Sequence, residues 1–257
     1  MVKIDRNRFL ANLIGAERGG KSFWAKNLAK QYTKQGSVLV YNIGKVTDWP
    51  DSEGFEMIEP LGFEDTLDLI YTSKELAKKY KARRKVEFFK YRGKIYHFSD
   101  FNKMFFGKKL KCHQMDSLEE ERSFFSALYK HVSFCLFIVD DCLPIFQYGL
   151  KSEHSRLLFK KNHTGEFTSY RATQSGGIDI LLIWHNIDHV TAKIWDATNH
   201  AVLFRFSMTP IFDKFQNPTL AETCLSVHEY LLKAPQYTAI QVGWKGEEMG
   251  ELSDVTI

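Results

Sequence analysis

Gly15-Ala16-Glu17-Arg18-Gly19-Gly20-Lys21-Ser22 has the spacing G-x-x-x-x-G-K-[ST]. That spacing serves phosphate binding. Glycines let the backbone turn its N–H groups onto an anion, and a helix starting directly after the loop adds partial positive charge. Lys21 is expected to reach the β- and γ-phosphates of a nucleotide, and the Ser22 hydroxyl to ligate Mg²⁺. A second cluster ends the apolar run Cys135-Leu136-Phe137-Ile138-Val139 at Asp140-Asp141. A carboxylate at the end of a buried parallel strand suits a magnesium partner, a role that falls to Asp140. Asp141 is placed to orient or deprotonate an attacking water. ATP with Mg²⁺ is the expected ligand, since the chain has no NKxD-type element for reading guanine.

These residues need strands and helices to hold them. The apolar segment 9–14 precedes the glycine loop, and a helical pattern runs from Lys21 to about Gln35, with Gly36 as a stop. A second apolar strand spans 37–43. Strand, crossover helix and strand predict a mostly parallel sheet with helices on its faces, an α/β fold of the P-loop NTPase (RecA/ASCE-like) type. Further strands are expected at 133–139, 178–184, 201–206 and 237–242. Helices are expected at 63–81, 117–131, 166–174, 190–197 and 219–233, with a short one near Arg156. Ser117 and Glu120 form a capping-box pair. Residues 44–63 read as irregular and 99–115 as loop.

The 257 residues allow one P-loop domain, 1–257, carrying an insert. The composition is that of an ordinary globular chain, and its net charge of +4 is only mildly basic. Cys112, Cys135, Cys142 and Cys224 fit no zinc spacing and suit reduced thiols. No apolar run approaches the length needed to span a bilayer, and the first residues lack a signal-peptide pattern. A cytoplasmic protein is expected.

The positive charge concentrates in the middle of the chain. Residues 78–115 are expected to form a basic inserted hairpin and loop region, with a turn at Arg92-Gly93. Aromatic residues interleave there, among them Tyr80, Phe88, Phe89, Tyr91, Tyr96, Phe98, Phe101, Phe105 and Phe106. A basic surface with aromatic platforms suits a nucleic-acid backbone and unstacked bases. Two alternatives stand beside that reading: a solvated hairpin whose aromatics pack on the core, and a dock for a capsid or membrane protein.

The order and spacing of these segments resemble the FtsK–HerA superfamily of P-loop motors. The similarity covers 8–45 and 120–207, and its most similar segment is YRATQSGGIDILLIWHNIDHVTAKIWDATNHAVLFRFS, 170–207. The resemblance implies that Arg171 is an arginine finger completing a neighbouring subunit's site. It also places His185 at the strand end where the family usually carries a glutamine sensor. Histidine can bond a γ-phosphate or water but titrates near neutrality, and Asn186 is the alternative sensor. The implied function is an ATP-hydrolysing, DNA-translocating motor of the viral genome-packaging kind. It would work as a ring-shaped homo-oligomer on DNA, with capsid or portal-vertex proteins as further partners, in the host cytoplasm or on the virion. A zonula-occludens-toxin-like phage assembly ATPase, a small-molecule kinase and a nucleotide-dependent scaffold are the competing readings.

Overall fold

Alternation along the strands sorts side chains onto two faces. In the computed structural model, which describes residues 8–41, 48–147, 149–161, 176–205, 218–245, 248–249 and 253–255, Cys135, Phe137 and Val139 join one apolar cluster. Leu136 and Ile138, between them, join another. The strand is therefore covered on both sides.

The strands are β1 (Leu10–Ile14), β2 (Ser37–Tyr41), β3 (Phe55–Met57), β4 (Glu59–Pro60), β5 (Phe88–Tyr91), β6 (Lys94–His97), β7 (Lys109–Cys112), β8 (Cys135–Val139), β9 (Ile178–Trp184), β10 (His200–Leu203), β11 (Ala239–Lys245), β12 (Glu248–Met249) and β13 (Ser253–Val255). The helices are α1 (Lys21–Tyr32), α2 (Phe63–Thr72), α3 (Lys74–Lys79), α4 (Phe101–Phe105), α5 (Leu118–His131), α6 (Leu143–Phe146), α7 (Ser152–Phe159), α8 (Ala192–Ala197) and α9 (Pro218–Lys233). The main sheet runs β12-β11-β10-β1-β9-β8-β2-β7-β3, with β13 also on β11. From β10 to β3 every pairing is parallel, while β11 is antiparallel to its neighbours. Ala25, Ala29 and Tyr32 of α1 cover one face. Side chains of α5, α7, α8 and α9 cover the other. The α/β architecture is thus the one expected, and β9 lies between β1 and β8.

The middle of the chain differs from expectation in three places. Segment 44–63 contains β3, which extends the main sheet, and β4. Segment 99–115 contains α4 and β7, and β7 pairs in parallel between β2 and β3. Its sequence, KLKC, hides the strand because two of its four residues are lysines. The helix expected over 63–81 breaks at Ser73, whose side chain accepts from the Leu76 N–H and caps α3. The hairpin β5–β6 forms as expected, and Arg92 and Gly93 both take the positive φ that a two-residue turn requires. With β4 it makes a separate three-stranded sheet.

Ser117 caps α5 by accepting from the Glu120 N–H at 3.2 Å. Glu120 Oε1 accepts from the Phe63 N–H at 2.7 Å, so this carboxylate also satisfies the start of α2. The four cysteines are buried free thiols. Among the described residues no helix is long and apolar enough to cross a membrane.

Candidate nucleotide site

The parallel register brings three strand ends together. Ile14 pairs with Trp184, and Val139 with Leu182. Gly15, His185 and Asp140 therefore leave adjacent strands β1, β9 and β8 at the same edge. The Cys142 N–H donates to the Ile183 carbonyl at 3.0 Å, holding 140–142 against the end of β9. Trp184 is fixed from below: its Nε1 donates to Asn12 Oδ1 at 2.9 Å, and Asn12 Nδ2 donates to Thr198 Oγ1 at 2.7 Å. This buried amide is satisfied on both sides, so it locks the strand that carries His185.

The loop between β1 and α1 has the backbone its sequence demands. Arg18 and Gly20 take φ values of 57° and 98°, in the left-handed region. Glycine adopts that conformation freely, whereas Arg18 is a strained exception. At Gly15 a Cβ would fall 2.5 Å from Phe204 Cβ, so only glycine fits. The Gly15 N–H donates to the Trp184 carbonyl and the Ala16 N–H to that of Arg205, which ties the loop to β9 and to the end of β10. Glu17, Arg18, Gly19, Gly20, Lys21 and Ser22 line a cavity of about 600 Å³. Asp48, Asp140, Asp141 and His185 also line it, as do Phe23 and Tyr237, two half-exposed aromatics.

Lys21 is buried, and its Nζ donates to the carbonyls of Gly15 and Ala16, both at 2.6 Å. Burial lowers its pKa to about 8, against the opposing pull of Asp140, Glu17 and Asp141. Burial likewise raises the pKa of Asp140, opposed by a hydrogen bond from Trp49 Nε1 to its Oδ2 at 2.6 Å. Asp141 sits at a φ of 57°, and its Oδ1 accepts from the Leu143 N–H. The Nδ1 of His185 is buried with no hydrogen-bond partner among the described residues. Asn186 is engaged elsewhere, its Oδ1 accepting from the Asp188 N–H at 3.2 Å as the cap of a single 3-10 turn. Arg171 lies outside the described residues, as do the helix expected at 166–174 and the segment 42–47.

The donor set fits magnesium. Ser22 and Asp140 line the same cavity and would offer hard oxygen ligands, and Mg²⁺ is usually held by one or two carboxylates plus substrate phosphates rather than by an all-protein cage. Among the described residues no cluster of three or more His, Cys, Asp or Glu side chains suited to a metal ion occurs.

Sequence reasoning missed three contributors. Trp49 and Asp48 sit in a stretch that reads as irregular, and Tyr237 precedes β11 two hundred residues from the phosphate loop. Sheet order alone brings them here.

Glycine loop, following helix and strand order together define a P-loop NTPase fold. Among solved structures, the chain is similar to the genome-packaging NTPase B204 of Sulfolobus turreted icosahedral virus 2 in complex with ATPγS. The TM-score is 0.55 at 11% identity, over 96% of this chain and 97% of that one. The same NTPase in complex with AMPPCP gives a TM-score of 0.53 at 10% identity, over 96% and 98% of the two chains. B204 of Sulfolobus turreted icosahedral virus, described as its DNA-packaging ATPase, gives 0.53 at 12% identity, over 96% and 98%. No protein-family model and no curated protein sequence matches the chain.

Proposed function

We propose that this chain is an ATP-hydrolysing motor that translocates DNA, of the viral genome-packaging kind. The convergence of the phosphate loop, Asp140, Asp141 and His185 around one cavity carries the reading. The near full-length likeness in fold to packaging NTPases supports the choice of motor over kinase.

In this reading the N–H groups of 15–22 and the ammonium of Lys21 hold the phosphates. Lys21 exchanges its two carbonyl acceptors for phosphate oxygens. Ser22 and Asp140 hold Mg²⁺, which when bound neutralises charge on the β- and γ-phosphates. Asp141 orients the attacking water and accepts its proton. His185, which lines the cavity, senses the γ-phosphate or that water. Asn186 is spent on a cap, which favours His185 for this role. Arg171 from a neighbouring subunit completes the site in a ring.

In this reading DNA is held mainly through its phosphates by the exposed cations of the insert, since five of its phenylalanines are buried and Phe106 is exposed. Arg83 and Arg84 are exposed, while Phe88, Phe89, Phe98, Phe101 and Phe105 are buried. Lys130 of α5 belongs to the same charged patch. Its pKa is lowered by burial and then by Lys85, Arg156 and Arg83, with Glu87 opposing.

ATPase rate with and without single- and double-stranded DNA, alongside the mass of the nucleotide-bound assembly, tests the reading. DNA-stimulated hydrolysis by a ring is expected, as is rescue of Arg171→Ala subunits in mixed rings with a Lys21-defective partner. Normal hydrolysis by monomeric Arg171→Ala would sink the ring mechanism. Phosphate transfer to a small acceptor would instead make the chain a kinase.

A further inference from the structure

Lys111 is the most deeply buried lysine among the described residues, 1% exposed, although it lies in the basic stretch. Its Nζ donates to the Trp49 carbonyl at 2.6 Å and pairs with Asp51 Oδ1 at 2.7 Å. Trp49 is itself fully buried, packed edge-on against Phe55 at 5.1 Å between ring centroids. Its indole Nε1 donates to Asp140 Oδ2 at 2.6 Å. A lysine on β7 thus fixes the backbone of Trp49, and the Trp49 side chain fixes one oxygen of Asp140.

That chain of contacts has a chemical consequence. A carboxylate has two oxygens and can turn to offer a metal either one or both. A short hydrogen bond from a rigid, buried indole occupies Oδ2 and sets the plane of the group. We propose that Trp49 is the positioning residue for Asp140, leaving Oδ1 to face magnesium, and that Lys111 is the anchor holding Trp49 in register. The proposal rests on the reading of Asp140 as the magnesium ligand. It explains why a charged side chain is buried at the sheet edge: β7 and β3 lie beyond β2, and Lys111 is the link from that edge back to the nucleotide cavity. Groups that orient a metal-binding side chain typically matter 10–100-fold for metal affinity.

The test uses Trp49→Phe, which keeps an aromatic ring and removes the donor. Binding of ATPγS is measured by calorimetry, first in EDTA and then across a magnesium titration. In EDTA the affinity of the variant stays within about twofold of wild type. The magnesium concentration that gives half-maximal enhancement rises about tenfold or more. Lys111→Met shifts it in the same direction by less, and the double variant shifts it no further than Trp49→Phe alone, because both act through one contact. A folded Trp49→Phe protein with an unshifted magnesium midpoint overturns the proposal. Should that variant not fold, the five tryptophans of the otherwise wild-type chain provide indole N–H resonances for NMR. One of them moves in Asp140→Asn if the hydrogen bond exists, and five unmoved resonances overturn the proposal. A wild-type protein whose nucleotide affinity ignores magnesium overturns the metal role of Asp140 and this proposal with it. A magnesium-dependent wild type with an unshifted variant overturns this proposal alone.

Discussion

The nucleotide cavity and the basic middle segment carry comparable densities of charged and aromatic residues, but the fold uses them in opposite ways. In the cavity, charges are taken out of water: Lys21, Asp140 and His185 have buried atoms, shifted pKa values or unmet hydrogen-bonding capacity. In the middle segment most charges stay in water and most of the aromatics go inside, with Phe106 left exposed. Phe89 is packed by Tyr96, Phe98, Phe101 and Phe105 at centroid distances of 5.1–6.2 Å. Polar groups held out of water are poised for a ligand, because in a low-dielectric setting their pairing energies are larger. Solvated cations over an apolar core act on a polyanion mainly at long range and through counterion release.

Four measurements would break or sharpen this contrast. The largest effect is expected at the buried aromatics. Phe89→Ala should lower stability by about 3–5 kcal/mol, the usual cost of emptying a buried Phe site, read as a shift of the urea midpoint. A stable variant that loses only DNA binding would return Phe89 to the role of a stacking platform. Next comes the cavity. Lys21→Ala should cut hydrolysis about 10²–10³-fold, the scale for removing one group that stabilises transition-state charge, with the melting temperature of the free protein unchanged or raised. A variant that hydrolyses ATP normally would place the chemistry elsewhere.

Third is the pH dependence. The pKa of Lys21 is depressed to about 8 in the free protein, so below that pH the ammonium is present and above it the amine dominates. A nucleotide binds the ammonium form, so binding above pH 8 must take up a proton. Affinity should therefore fall as pH rises through about 8, approaching tenfold per unit, as followed by calorimetry in two buffers of different ionisation enthalpy. A flat profile between pH 7 and 9 would mean that the Lys21 ammonium is not depressed into this range or does not contact phosphate. The smallest effect belongs to the surface. Converting Arg83, Arg84 and Lys85 to alanine should lower the slope of log affinity against log salt by about 2.7, at roughly 0.9 per lost phosphate contact on duplex DNA. An unchanged slope would take DNA off this face.

The two regions also differ in how far the sequence revealed them. The glycine loop 15–22 is a contiguous motif set by local backbone geometry, so its residues could be named from spacing alone. The strand-end position of Asp140 was legible because it ends an apolar run, whereas His185 was singled out only by the resemblance of 170–207 to a known family. The insert left two readings open, because basic and aromatic residues suggest a binding face whichever way they point. Only the pairing of β7 inside the main sheet turns Lys111 inward, and only packing among α4, α5 and the hairpin buries Phe88, Phe89, Phe98, Phe101 and Phe105, while Phe106 stays exposed. The loop reading of 99–115 failed for the same reason: four residues with two lysines do not look like a core strand until β2 and β3 flank them.

By itself, then, the sequence determined the phosphate loop, the α/β class and the strand-end position of Asp140, since all three follow from local spacing and from the period of the apolar pattern. The tertiary structure decided which distant residues meet. It put Trp49 on Asp140 and Lys111 on Trp49, with Tyr237 beside the phosphate loop. These contacts come from strand order and register, which join residues far apart in the chain and leave no periodic trace in it.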